Sequence, residues 1–170
     1  ITSYNDALVL LCTSLVRAFE LCLQTDSLAK HFDKPTTWLR LLHYPHLPLE
    51  APADLFGSNP HTDYGFITIL AQDEVGGLQV RSMDGDWIDV PPVEDYFVMN
   101  TGEILNHWSN GKLVATPHRV VNRSGLERYS CPFFFDPNVH SRIRTLPSCI
   151  TDENPGQFKD IVYGEMIMEH

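Results

Sequence analysis

The chain has 170 residues, 43% hydrophobic and 20% charged, with a formal net charge of −10, and is long enough to bury one substantial core. That acidic balance, with no basic run to offset it, repels phosphate backbones and argues against nucleic acid as the main partner. The longest apolar-rich segment, residues 7–23, is interrupted by Thr13, Ser14, Arg17 and Glu20, which excludes a membrane span.

An amphipathic helix is expected over 4–24, where Leu8, Leu11, Leu15, Phe19 and Leu23 recur at three- and four-residue spacing and Ser3 or Asn5 stands as cap. A short helical turn over 27–32 ends at Asp33-Lys34-Pro35. Residues 37–44 read as a strand closed by Pro45, and residues 45–60, with four prolines, Gly57 and Asn59, as an irregular loop. Short β-like runs follow over 66–72, 77–82, 87–90, 96–100, 115–122, 128–135 and 139–146, separated by Gly-, Pro-, Asn- and Asp-rich breakers. Residues 102–109 look helical, and a last helix is expected over 157–168, started by Asn154-Pro155. The fold class implied is mostly β with flanking helices, a β-sandwich or jelly roll. One domain over 1–170 is expected, with a helical lead-in (1–36), a β core (37–150) and a C-terminal helical part (151–170).

Cys12, Cys22, Cys131 and Cys149 are widely spread and form no CxxC. They read as free thiols of a reducing compartment, and with no secretory signal visible a cytoplasmic setting is expected. Because the first residue is Ile1, the chain reads as a fragment, a processed form or the ordered part of something longer.

The chemistry-bearing stretch is Asn59-Pro60-His61-Thr62-Asp63-Tyr64-Gly65. Alternate residues of a strand leave the same face, so His61 and Asp63 can supply two ligands of a facial metal triad. With 8 His and 13 Asp, chance gives ~0.6 His-x-Asp pairs, and His31-Phe32-Asp33 is a second copy, placed at a helix break where the two side chains need not converge. A third ligand is best supplied by His118, in Ala115-Thr116-Pro117-His118-Arg119-Val120-Val121. A hairpin with its tip at 122–125 would set Arg128 opposite His118 and Ser130 opposite Thr116. Arg128, Ser130, Pro132 and Phe134 then share a face, and an arginine fork beside a hydroxyl suits a small dicarboxylate next to the metal.

On Pro60–Gly65, Gly76-Gly77-Leu78-Gln79-Val80, Asn100-Thr101-Gly102-Glu103, Trp108-Ser109-Asn110-Gly111, His118-Arg119-Val120-Val121 and Arg128-Tyr129-Ser130, the chain resembles the isopenicillin N synthase-like family of non-haem Fe(II), 2-oxoglutarate-dependent dioxygenases, over residues 38–164. The resemblance implies a double-stranded β-helix. It also implies iron ligation by His61, Asp63 and His118, and a 2-oxoglutarate carboxylate held by Arg128 and Ser130 with Tyr44 in contact. Phe134, with Phe66 and Tyr64 as further candidates, would face a small-molecule substrate. The activity implied is oxidation of that substrate, by hydroxylation in most members, with O2 consumed and succinate and CO2 released. Two departures stand out: Leu42-His43-Tyr44-Pro45 replaces the family's Asn-Tyr-Tyr-Pro, and the 170 residues are expected to lack the family's additional amino-terminal region.

Blander roles compete at each position. His61 and Asp63 can serve a loop as cap and Asx turn, His118 can be a satisfied barrel histidine, and Arg128 a structural ion pair. As a whole, the chain also fits a same-fold iron oxidase that does not use 2-oxoglutarate, a truncated metal-binding domain without activity, or a structural zinc site, the last disfavoured by an oxygen ligand and open positions. Substrate identity and oligomeric state are not legible.

Overall fold

The computed structural model describes every residue except Leu49, Ala53 and His170; those positions of the expected loop and of the carboxyl end lie outside the described residues. Helix α1 (Thr2–Cys22) is followed by a 3₁₀ turn at Ala29–Phe32. The fully buried residues of α1 are Leu8, Cys12, Val16 and Glu20; Leu8 belongs to the row read from the sequence, and Leu23, just past the helix, is buried as well. Leu15 and Phe19 are partly buried and Leu11 is 39% exposed. Neither Ser3 nor Asn5 caps α1; its N-cap is Ile1, with no side-chain bond. Glu20 can sit in the core because its Oε1 accepts the backbone N–H groups of Leu28 and Ala29 and its Oε2 pairs with Arg17.

The expected strand over 37–44 is two strands, β1 (Thr36–Leu39) and β2 (Leu42–Tyr44). The chain continues through β3 (Ser58–His61), β4 (Ile67–Gln72), β5 (Leu78–Arg81), β6 (Trp87–Asp89), β7 (Val98–Thr101), α2 (Glu103–Trp108), β8 (His118–Val120) and β9 (Arg128–Asp136). One antiparallel sheet has the order β1-β9-β4-β7, with β2 also on β9; the other is β3-β8-β5-β6. Trp38 lies opposite Phe134 and Leu42 opposite Ser130, so β1 and β2 run end to end along β9. The two sheets enclose a cavity, and the result is a jelly roll, as the succession of short strands implied.

The strands β4 and β9 divide their side chains by strict alternation. Ile67, Ile69, Phe133 and Phe135 turn outward into a core shared with Leu8, Cys12 and Val16 of α1 and Ile104, Leu105 and Trp108 of α2. Thr68, Leu70, Arg128, Ser130, Pro132 and Phe134 turn inward and line the cavity. At roughly 1.5–3 kcal/mol per large apolar side chain buried, the outer face stabilises the sheet and leaves the inner face available for polar groups.

The carboxyl end differs from expectation. Only Arg142–Ile143 (β10) of the run over 139–146 is strand, paired with Ile161–Val162 (β11), and helix α3 is confined to Tyr163–Met168. The cause is Asn110, whose side-chain amide donates to Asn154 O and Pro155 O while its Oδ1 accepts from Gln157 N. This pins residues 154–157 to the turn after α2 and delays the helix.

Candidate metal centre and anion pocket

His61 closes β3 and His118 opens β8, and the two are register partners across an antiparallel pair. Their rings are 4.3 Å apart between centroids. His61 Nδ1 donates to Asn59 O at 2.7 Å and His118 Nδ1 to Thr116 O at 3.1 Å. A carbonyl oxygen can only accept, so each neutral ring carries its proton on Nδ1 and presents a lone pair at Nε2. Both Nε2 atoms lie 3.7 Å from Asp63 Oδ1. Three lone-pair atoms facing one another repel unless a cation or added protons lie among them. Two imidazoles and a carboxylate oxygen on one side of a point are the donor set of a facial triad. Among the described residues this is the one group of its kind, its ligand atoms all within 4.8 Å of one another.

Asp63 lies beyond the end of β3, so strand alternation does not aim it. Its backbone carbonyl accepts from Glu103 N, and Gly102 approaches so closely that a Cβ there would overlap Gly65 O. The carboxylate is then oriented by Thr68 Oγ1 and Asn100 Nδ2 (2.7 Å), both donating to Oδ2. The sequence reading missed both as site residues. Thr68 is detectable as a lone polar residue between Ile67 and Ile69, whereas Asn100 stands out only within Asn100-Thr101-Gly102-Glu103.

The second His-x-Asp copy, His31 and Asp33, does not converge on a common point. His31 lies against Trp108 with centroids 5.2 Å apart, and Asp33 accepts from Asn138 and from Lys34 N.

On the other sheet, Arg128 is fully buried. Its Nε donates to Gly76 O (2.6 Å), Nη1 to Ser130 Oγ (3.2 Å) and Nη2 to Gln72 Oε1 (3.3 Å), and the guanidinium lies 4.8 Å from the centre of the Tyr44 ring. No carboxylate among the described residues pairs with it. A buried charge without a counter-ion costs several kcal/mol, which an arriving anion would offset. Ser130 Oγ accepts from Arg128, so its own proton is free to donate. Tyr44, Ser130, Arg128, His61, Asp63 and His118 all line one cavity of about 100 Å³, whose other walls include Leu42, Leu70, Leu78, Val80 and Phe134.

The expected hairpin between His118 and Arg128 is corrected. Strand β8 pairs with β3 and β5, and β9 pairs with β1, β2 and β4, so the two residues face the cavity from opposite sheets. The connection crosses between sheets because Asn122, buried, donates its amide to Tyr44 O, Pro45 O and Leu126 O and does not form a tight turn. Phe66 is a second correction. It is fully buried against Phe19, Phe32 and Trp108, at 5.5, 4.9 and 5.7 Å between centroids, and is core. Tyr64 lies at the outer mouth and Phe134 at both the mouth and the cavity. His43 points outward and stacks on Tyr129.

The chain is 40% identical over 131 residues to the 2-oxoglutarate-Fe(II) type oxidoreductase hxnY of Emericella nidulans, covering 76% of this chain and 38% of that protein. Among solved structures it resembles a full-length Neurospora crassa protein in complex with alpha-KG and thymine, with a TM-score of 0.90 at 32% identity over 98% of this chain and 54% of that one. It likewise resembles JOX2 in complex with 2OG, Fe and JA, with a TM-score of 0.89 at 31% identity over 98% of this chain and 50% of that one. The chain thus spans about half the length of these solved relatives, and less of the curated one. No helix among the described residues is long and apolar enough to cross a membrane. Residues 35–137, the stretch from β1 through β9 that carries both the histidine–aspartate cluster and the unpaired arginine, match the 2OG-Fe(II) oxygenase superfamily model, and the chain belongs to that family.

Proposed function

We propose that this chain is the catalytic core of an iron(II)- and 2-oxoglutarate-dependent oxygenase that oxidises a small organic molecule by hydroxylation. The observation that carries the reading is Arg128, a buried cation with no carboxylate partner among the described residues, which lines the same cavity as His61, Asp63 and His118. In this assignment His61 Nε2, Asp63 Oδ1 and His118 Nε2 hold the metal. Arg128 and the Ser130 hydroxyl donate to the distal carboxylate of 2-oxoglutarate, with the Tyr44 ring against the guanidinium. Bound iron(II) supplies the redox chemistry by which substrate, O2 and 2-oxoglutarate become oxidised substrate, succinate and CO2. The protein's part is orientation and exclusion of water. With Oδ2 of Asp63 occupied by Thr68 and Asn100, the carboxylate would offer a bound metal one ligand atom. Leu42, Leu70, Leu78 and Val80 keep the cavity wall apolar.

The partner is a small molecule, in keeping with solved relatives bound to thymine or JA, and the acidic net charge argues against nucleic acid. Four free cysteines favour a reducing, cytoplasmic setting. The test is succinate formation with iron(II) and O2, with and without added 2-oxoglutarate. Succinate that depends on 2-oxoglutarate supports the assignment. Oxygen uptake with no such dependence would favour a same-fold oxidase, and no metal- or 2-oxoglutarate-dependent rise in melting temperature would favour a domain without activity.

A further inference from the structure

We infer that the substrate is a flat, typically aromatic, monocarboxylate whose carboxylate is received by Arg40 at the mouth of the site. The inference rests on the oxygenase reading above and adds the substrate's class.

The metal-side cavity adjoins an outer cleft of about 470 Å³, and four residues line both spaces: Arg40, His61, Asp63 and Phe134. A molecule reaching the open side of the His61/Asp63 pair through this cleft therefore passes Arg40. The placement follows from register. Trp38 is opposite Phe134, and Arg40 N donates to Pro132 O at 3.0 Å, so Trp38 and Arg40, two residues apart, share the face of Phe134 and Pro132. The same row continues through Leu42 to Tyr44 and Arg128. One strand wall thus carries a guanidinium at each end, one beside the proposed cosubstrate and one at the entrance.

Arg40 makes no side-chain hydrogen bond or ion pair with the described residues. Of the two carboxylates that line the cleft, Asp63 faces the histidines and Asp136 is taken by Phe66 N–H and the Tyr163 hydroxyl. Neither neutralises it. Beside it stand the Trp38 indole, 55% exposed, and the Phe134 ring. An unpaired fork that binds carboxylate with two parallel bonds, flanked by the exposed Trp38 indole and the half-buried Phe134 ring, selects a planar acid over its neutral analogue.

The probes are benzoate, phenylacetate and 3-phenylpropionate, each against its amide, titrated calorimetrically into the full chain loaded with zinc(II) and saturating 2-oxoglutarate, so that no turnover occurs. The expected result is at least one acid bound roughly ten- to hundred-fold tighter than its amide, the ratio that follows from a hydrogen bond to a charged group. Arg40→Gln should bring acid and amide to within about two-fold, and Arg40→Lys should keep part of the preference. Equal binding of acid and amide, binding of no acid, or an undiminished preference in Arg40→Gln would overturn the inference. Loss of the 2-oxoglutarate-dependent thermal shift in Arg40→Gln would overturn it as well, since Arg40 would then be structural. If the unaltered chain itself shows no 2-oxoglutarate shift, the oxygenase reading is what fails.

Discussion

The side-chain amide of Asn100 donates to Asp63 Oδ2 at 2.7 Å, so the carboxylate turns its other oxygen alone toward His61 and His118. Removing this bond should loosen the ligand without deleting it. For Asn100→Ala the expected effect is a ten- to hundred-fold loss of metal affinity, the usual scale for a partner of a metal ligand, measured by titration of iron(II) or its zinc(II) surrogate. Loss of 2-oxoglutarate binding should follow only through the metal. Unchanged metal affinity would mean that Thr68 alone orients Asp63.

Arg128 calls for the opposite separation. In Arg128→Met the cavity keeps its three lone-pair atoms and loses its unpaired cation. Metal should still raise the melting temperature, and 2-oxoglutarate should no longer do so. A ligand present at a hundred times its Kd stabilises the folded state by about 2.7 kcal/mol, so the loss is easily resolved by a thermal scan. Equal loss of both shifts would make Arg128 a structural residue.

The two halves of the site differed in how legible they were. The inward face of β9 could be read because period-two alternation is local: Arg128, Ser130, Pro132 and Phe134 follow from one another. Which strand β9 faces is a non-local fact, decided by the buried amide of Asn122 tying the connection to Tyr44 and Pro45; turn composition around 122–125 pointed to a hairpin instead. The α1 face was legible to within a small rotation: Leu8, Leu15, Phe19 and Leu23 meet the core, Leu11 does not, and Cys12 and Val16 join them. Phe66 looked like a pocket residue because it follows Asp63 closely, yet Phe19 and Phe32, distant in sequence, enclose it.

Asp136 gives the apo protein a pH signature. Burial pushes its carboxyl up to about 6, against the opposing bonds from Phe66 N and the Tyr163 hydroxyl, with the Asp63 charge adding to the rise. A folded-state value above the ordinary one means a contribution fully present below pH ~4 and lost as pH rises through 6, on the order of 3 kcal/mol in all. Asp136→Asn removes that loss. The stability of the variant relative to the unaltered protein should therefore improve between about pH 4.5 and pH 7.5, as followed by urea unfolding of metal-free samples. A difference that stays flat with pH would mean that Asp136 does not titrate between those values.

Neighbouring phenylalanines on β9 should respond in opposite ways. Phe135 is fully buried, stacked on Phe32 at 5.1 Å between centroids, on the face that meets α1 and α2. Its truncation to alanine removes apolar contacts and leaves a cavity, a loss of about 3–5 kcal/mol. Phe134, one residue earlier, lines the space between the sheets and the outer cleft, so Phe134→Ala mainly widens an existing void. The expectation is a stability change well below that of Phe135→Ala, with weaker binding of any planar substrate and retained metal and 2-oxoglutarate shifts. Denaturant unfolding and the same ligand titrations check both parts, and comparable destabilisation by the two variants would mean that the alternation assigned to β9 is wrong.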